Sequence, residues 1–170
     1  ANNGAAVVLN CKTGEILACA TYPSYDLGTY SQNFAQLAAD KEGQPLLNRA
    51  IQGTYAPGSV FKPVVGTAGL ATGIITPEST YNCTQVYPRF MPAHRVTCMG
   101  HHGSINLTRA LSLSCNIFFY ETGMGLGIDR IDEYAKQFGL GEPTGIELKE
   151  EYIGQRSNPE TFASTNTEPW

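Results

Sequence analysis

Long hydrophobic runs are missing from this sequence. No stretch approaches the ~20 apolar residues that a membrane-spanning helix requires, and the opening Ala1-Asn2-Asn3 has neither the basic nor the apolar segment of a signal peptide. Any targeting or anchoring segment is therefore expected outside these 170 residues. Positive charge is scarce as well. Eleven Lys and Arg against fifteen Asp and Glu give a net charge of −4, and their scattered placement leaves no basic stripe to neutralise a phosphate backbone, which argues against nucleic-acid binding. Internal repeats and low-complexity segments are absent, and a hydrophobic content of 42% argues against disorder. An even cysteine count is lacking too. Cys11, Cys19, Cys83, Cys98 and Cys115 make five, so complete internal disulfide pairing is impossible and some of them must have another use.

What the chain does contain is punctuation. Eighteen Gly and ten Pro fall between short apolar runs, which predicts many turns around a modest set of helices and strands. A chain of this length buries one ordinary core, so residues 1–170 are expected to be a single domain or a large piece of one. Ala5-Ala6-Val7-Val8-Leu9 and Ile16-Leu17-Ala18-Cys19-Ala20 flank Cys11-Lys12-Thr13-Gly14, which predicts an antiparallel hairpin over residues 4–21. A short helix is expected over 33–39, then a turn at Gly43-Gln44-Pro45. Ser59 reads as the N-cap of a mainly buried helix over 59–72, because Val60, Phe61, Val64, Val65, Ala68, Leu70 and Ala71 recur at helical spacing. Pro63 is tolerated in its first turn, where no amide donor is needed. Residues 76–103 show no sustained periodicity and are expected to form a long loop, of the kind that is functional or pinned. Helices are expected over 106–114, 116–124 and 128–138. The last has Ile128, Ile131, Tyr134, Ala135 and Phe138 on one face and Gly139 as its stop.

Ser59-Val60-Phe61-Lys62 places a hydroxyl and an amine three residues apart at the start of a helix, where such positions share a face. Both groups can therefore reach one point. A serine hydroxyl is a poor nucleophile until a base takes its proton, and a lysine desolvated against apolar helix neighbours has its pKa lowered toward that role. The helix N-terminus adds amide dipoles that favour negative charge developing on an attacked carbonyl. Alone, the pattern equally describes a cap followed by a surface lysine; its surroundings decide.

Arg49-Ala50-Ile51-Gln52-Gly53-Thr54-Tyr55-Ala56-Pro57-Gly58-Ser59-Val60-Phe61-Lys62-Pro63 resembles the active-site segment of class B penicillin-binding proteins. Ala110-Leu111-Ser112-Leu113-Ser114-Cys115-Asn116-Ile117-Phe118-Phe119-Tyr120 resembles their second motif, S-x-N. Thr13-Gly14-Glu15-Ile16-Leu17-Ala18, Phe138-Gly139-Leu140-Gly141 and Thr144-Gly145-Ile146 stand in the same order as in that family, so the resemblance covers essentially the whole chain. It implies an α/β fold of the penicillin-binding protein and serine β-lactamase-like kind, here incomplete, with an antiparallel sheet begun by the hairpin and a helical cluster carrying both motifs. It also implies a peptidoglycan D,D-transpeptidase. Ser59 would attack the D-alanyl-D-alanine carbonyl of a stem peptide, expel the terminal alanine and pass the acyl group to an amine of a neighbouring strand. Lys62 would be the base and Ser114 would relay a proton between Lys62 and the leaving or incoming amine. Asn116 would hold the substrate amide, and the Ser59 backbone amide would supply half of an oxyanion hole. β-Lactams would acylate the same serine, and no catalytic cofactor is implied. Cell-wall synthesis membrane proteins would be the partners, and the extracytoplasmic face of the bacterial membrane the location, with an anchor N-terminal to this chain.

The family's third motif, Lys-Ser/Thr-Gly, does not follow the S-x-N segment. Lys12-Thr13-Gly14 spells it at a hairpin tip before the nucleophile, where it reads as a turn. The missing strand would supply the other oxyanion amide, so this piece alone is expected to be inactive and to expose unpaired strand edges. Cys83, Cys98, His102 and Cys115 offer the ligand set of a closed structural zinc site. If Ser114 and Asn116 face the cleft, Cys115 between them points away, toward the base of the 76–103 loop, where a zinc would tie that loop to the back of the motif. In the resembled family, the branch that includes elongation-type enzymes has members with a metal at the corresponding loop. A Cys83–Cys98 disulfide, or free buried thiols, is the alternative, and His101 could stand in for His102. Cys11 and Cys19 read as small core or edge residues, and His94 as a solvated loop histidine. Two functional alternatives stay open: a serine β-lactamase or D,D-carboxypeptidase, which pass the acyl group to water, and a non-catalytic β-lactam-binding sensor or scaffold.

Overall fold

The computed structural model describes residues 2–164, and the chain divides into two compact units, one formed by residues up to 55 together with 143–153 and the other by the remainder. In the first unit, β1 (Gly4–Leu9) and β2 (Ile16–Tyr22) pair antiparallel from Gly4 opposite Tyr22 to Leu9 opposite Ile16, as the apolar runs predict. Their link is closed by the Asn10 amide donating to the Glu15 carbonyl at 2.8 Å and the Gly14 amide donating to the Asn10 carbonyl at 2.8 Å. Gly14 has φ +78°, a conformation a residue without Cβ adopts freely, so Lys12-Thr13-Gly14 is indeed a turn. Val7, Val8, Leu9, Ile16 and Leu17 are all exposed, and because adjacent strand residues point to opposite faces, this ribbon is open on both sides.

Also in this unit, α1 (Tyr30–Ala39) begins three residues earlier than expected. Its first turn is held by aromatic contact, with Tyr30 edge-on to Phe34 at 5.6 Å and against Tyr25 at 5.0 Å. Arg49, only 4% exposed, donates to the Gln44 carbonyl at 3.0 Å and the Gly43 carbonyl at 2.6 Å. A buried guanidinium thus closes the turn at Gly43-Gln44-Pro45, satisfying carbonyls that would otherwise lack partners.

The second unit holds the helical cluster. A 3-10 turn (Gly58–Phe61) runs into α2 (Lys62–Ala71), which buries Val64, Val65, Gly66, Ala68 and Gly69 and packs against α4 (Asn116–Leu126) and α5 (Ile128–Gln137). The approach is close: a Cβ on Gly69 would meet Thr122 Cγ2 at 2.8 Å and Ile75 Cγ1 at 2.9 Å. Ser59 is not the helix cap that its position suggests. It lies inside the 3-10 turn, after Gly58 with φ +55°, and its hydroxyl is engaged by Ser114 rather than by the helix amides.

Residues 76–103 are not structureless either. β3 (Thr80–Cys83) pairs with β6 (Gly103–Asn106), and β4 (Val86–Tyr87) pairs with β5 (Val96–Thr97), both antiparallel. Strands of two to four residues are too short to show a period, which is why this ribbon reads as loop. α3 (Leu107–Ser112) is capped by the Asn106 side chain, which accepts from the Arg109 amide at 3.1 Å. A further helix, α6 (Pro159–Ser164), opens on Asn158, whose carboxamide oxygen accepts from the Thr161 amide at 2.8 Å. On α5, Ala135 is buried and Ile131 and Tyr134 pack against the core, whereas Phe138 is exposed, so its apolar stripe is narrower than expected.

Two helices here end in the same way. After α5, the Gly139 amide donates to the Lys136 carbonyl at 2.8 Å and the Leu140 amide to the Ala135 carbonyl at 3.0 Å, with Gly139 at φ +78°. After α3, the Ser114 amide donates to the Leu111 carbonyl at 3.1 Å and the Cys115 amide to the Ala110 carbonyl at 2.8 Å, with Ser114 at φ +51°. This is the Schellman pattern, whose left-handed position ordinarily takes glycine. At residue 114 a serine stands there at a backbone cost of roughly 1 kcal/mol. Replacing Ser114 by Gly in the complete domain should therefore give a protein about 1 kcal/mol more stable than Ser114→Ala, both variants lacking the hydroxyl. Denaturant midpoints check this, and equal midpoints would remove the strain.

Candidate active site

The 3-10 turn and the first turn of α2 carry Ser59 and Lys62, the connection between α3 and α4 carries Ser114, and the first residue of α4 is Asn116; packing of α2 on these elements brings the four together. Lys62 Nζ donates to the Ser114 carbonyl at 2.7 Å, to Ser114 Oγ at 2.9 Å and to Asn116 Oδ1 at 2.8 Å. An ammonium has three protons, and here each has an acceptor. Ser114 Oγ in turn donates to Ser59 Oγ at 2.9 Å. The point that both the hydroxyl of Ser59 and the amine of Lys62 reach is thus the Ser114 hydroxyl. Beside it opens a cleft with Phe61, Val65, Phe119 and Tyr120 on its apolar side.

Burial lowers the Lys62 amine below the usual lysine range, with the sulfurs of Cys98 and Cys115 pulling in the opposite direction. Less water around the amine makes its neutral form more accessible, which is what a proton acceptor requires. The nitrogen also sits over the Phe119 ring, 5.7 Å from its centroid. Asn116 is fixed from a second direction: its Nδ2 donates to the Thr97 carbonyl at 3.0 Å and its backbone amide donates to Cys98 Sγ at 3.2 Å.

That sulfur belongs to a second cluster behind the turn. One donor atom each from Cys83, Cys98, His102 and Cys115 lie within 4.8 Å of one another. Cys83 Sγ is 3.5 Å and Cys98 Sγ 3.6 Å from His102 Nδ1, and Cys98 Sγ is 3.9 Å from Cys115 Sγ. Zn–S bonds of ~2.3 Å and Zn–N bonds of ~2.0 Å at tetrahedral angles place ligand atoms about 3.5 to 3.8 Å apart, so this donor set fits that ion. All five cysteines are free thiols. Cys115 is fully buried between Ser114 and Asn116, pointing away from the cleft as anticipated, and His102 rather than the exposed His101 joins the cluster. Burial opposes ionisation of Cys98, but amide hydrogen bonds and the neighbouring thiols bring it down to about 7; burial and neighbouring thiolate charge push Cys115 up to about 12. Sulfurs crowded in one buried place would repel one another as thiolates, and a cation would relieve that. Cys11, Cys19 and His94 are exposed and stand apart from this cluster.

Sequence reasoning missed two contributors. Phe119 stands one turn after Asn116 on α4, and that spacing was a usable signal for a residue facing Lys62. Thr97 acts through its carbonyl, a group every residue has, and nothing in its identity marks it.

Residues 4–167 match the family described as the penicillin binding protein transpeptidase domain. The peptidoglycan D,D-transpeptidase MrdA of Salmonella typhimurium (strain LT2) is 40% identical over 157 residues, covering 88% of this chain and 25% of that protein. MrdA of Escherichia coli (strain K12) is 36% identical over 176 residues, covering 99% of this chain and 28% of that protein. The chain therefore spans about a quarter of the length of these curated relatives. Among solved structures, Pseudomonas aeruginosa PBP2 in complex with WCK 5153 superposes with a TM-score of 0.89 at 31% identity, covering 99% of this chain and 40% of that one. PBP2 from Helicobacter pylori in complex with MreC gives a TM-score of 0.88 at 30% identity, covering 98% of this chain and 32% of that one. Sequence match and shared fold agree, and the chain belongs to the penicillin-binding protein transpeptidase domain family.

Proposed function

We propose that residues 1–170 form the N-terminal part of one transpeptidase domain and supply the nucleophile and its proton relay to a peptidoglycan D,D-transpeptidase. The observation that carries this reading is the unbroken chain from Ser59 Oγ through Ser114 Oγ to Lys62 Nζ. With Lys62 neutral, the hydrogen bonds reverse: the Ser59 proton passes to Ser114 Oγ as the proton of that hydroxyl passes to the amine. The Ser59 oxygen bonds to the carbonyl carbon of the penultimate D-alanine, and the Ser59 amide supports the oxyanion. As the peptide C–N bond breaks, the leaving nitrogen takes the proton back from Lys62 through Ser114. An amine of a neighbouring stem peptide then takes the acyl group by the reverse path. Asn116 retains one amide hydrogen for the substrate backbone. A β-lactam presents the same carbonyl to Ser59 but keeps its leaving amine tethered. This chemistry uses no catalytic cofactor.

Cys83, Cys98, His102 and Cys115 are the residues that would hold a structural zinc, which would supply positive charge to the crowded sulfurs. The four side chains then fasten the β3–β6 ribbon and the Cys98 segment to the back of the Ser114-Cys115-Asn116 turn. The donor spacing supports this ligation over a Cys83–Cys98 disulfide. Among the described residues no helix is long and apolar enough to cross a membrane. An extracytoplasmic location, anchored by a segment outside this chain, follows from the substrate, and cell-wall synthesis membrane proteins would be the partners; the H. pylori relative is known in complex with MreC.

Incubating the complete domain with penicillin and weighing it intact should reveal a single covalent adduct, lost in Ser59→Ala; an adduct surviving in that variant would falsify the assignment. Elemental analysis of protein prepared without chelator should find about one zinc per chain, reduced by Cys98→Ser, as a closed four-ligand site requires. Metal-free protein of full stability would reject that site.

A further inference from the structure

We propose that Phe119 is a positioning residue for acylation: its ring face is the uncharged surface that steadies the ammonium formed when Lys62 takes the Ser59 proton. The inference rests on the transpeptidase reading above. Its geometric basis is the Lys62 nitrogen standing over the ring at 5.7 Å from the centroid, within the distance at which a cation is attracted by an aromatic face.

The surroundings make this contact matter. Every hydrogen-bond partner of the amine is an uncharged oxygen, two from Ser114 and one from Asn116. Among the described ion pairs none includes Lys62; the acid that α4 carries, Glu121, faces Arg89 at 3.8 Å. The titratable groups nearest the amine are the Ser59 and Ser114 hydroxyls from the two facing turns, the Tyr120 phenol that lines the same cleft from α4, and the sulfurs of Cys98 and Cys115 behind the S-x-N turn. None of the three protons is directed at a sulfur. A cation in a half-buried site without a carboxylate needs some other source of negative potential, and the ring face provides one of intermediate strength. A carboxylate in that place would hold the proton too firmly for the amine to act as a base near neutral pH.

The ring is also held in place. Phe119 is 6% exposed, lies edge to face with Phe118 at 5.4 Å, and passes so near α2 that a Cβ on Gly66 would stand 3.6 Å from its Cε1. It therefore keeps its face toward the nitrogen through the transfer.

The sign follows directly. The ring favours the ammonium, so weakening its face lowers the pKa of the amine, and the neutral base appears at lower pH. The test uses the full-length enzyme and the second-order rate of Ser59 acylation by a fluorescent penicillin, measured across pH. Fluorinated phenylalanines at position 119 keep the shape of the ring while draining its face of negative potential. The rising limb should move to lower pH stepwise along the series, by about half a unit for the trifluorinated ring, and the plateau rate should fall, because the ammonium in the transition state is less well stabilised. Phe119→Tyr, which keeps an electron-rich face, should retain the original limb, and Phe119→Leu should shift it furthest if it folds. Superimposable limbs across the folded fluorinated series would overturn the proposal. Absence of any adduct on Ser59 in the unsubstituted enzyme would overturn the underlying reading and this inference with it.

Discussion

Three hydrogen bonds from the amine of Lys62 join the start of α2 to the connection between α3 and α4, and the rest of the site takes its geometry from that junction. A hydrogen bond to a charged group is worth on the order of 1.5 to 3 kcal/mol, enough together to hold two chain segments that lie more than fifty residues apart in sequence. Burial works against the charge that makes those bonds strong. The amine is therefore held between two demands: as an ammonium it assembles the junction, and in the reaction proposed above it has to act as a neutral base. A lysine fully buried would lose the first role, and one fully solvated the second.

The S-x-N turn answers the Lys62 amine with three consecutive residues pointing in different directions. Ser114, in the left-handed region, delivers both its carbonyl and its hydroxyl to the amine; Cys115 goes into the core; Asn116 opens α4 and returns to the cleft. The contrast with Gly139 is informative, because the same hydrogen-bond pattern closes α5 with a residue that bears no strain. Strain retained where glycine would relieve it signals that the side chain has a use there. The sulfur cluster reaches the same turn from behind through Cys98, which accepts from the Asn116 amide.

Much of this was legible in the residues. The hairpin announced itself by two apolar runs around a glycine-bearing turn, and α2, α4 and α5 by helical spacing and terminal glycines. Ser59 and Lys62 were marked by their spacing, and Ser114 and Asn116 by the resemblance of their segment to the S-x-N motif, and the four stand within hydrogen-bonding reach of one another in a chain; Cys83, Cys98, His102 and Cys115 were grouped by side-chain type, and their donor atoms do lie together. The failures have physical causes. Ser59 resembles a cap by type, but Gly58 redirects the chain before the helix starts, so the hydroxyl goes to Ser114. β3 and β6 are four residues each and pair across a long separation, and local pattern does not record such pairings. Asn158-Pro159 was a readable helix opening that went unread.

One consequence lies in the carboxamide of Asn116. Its oxygen takes a proton bond from a cation while its nitrogen gives one to the Thr97 carbonyl. Only a side chain that is acceptor at one end and donor at the other can satisfy both neighbours at once. An aspartate of the same shape would turn a negative oxygen toward a carbonyl and grip the lysine as a salt, trading a pivot for a lock. The amide thereby acts as a polarity-matched spacer, setting the distance between a strand backbone and a titrating group while remaining indifferent to pH itself.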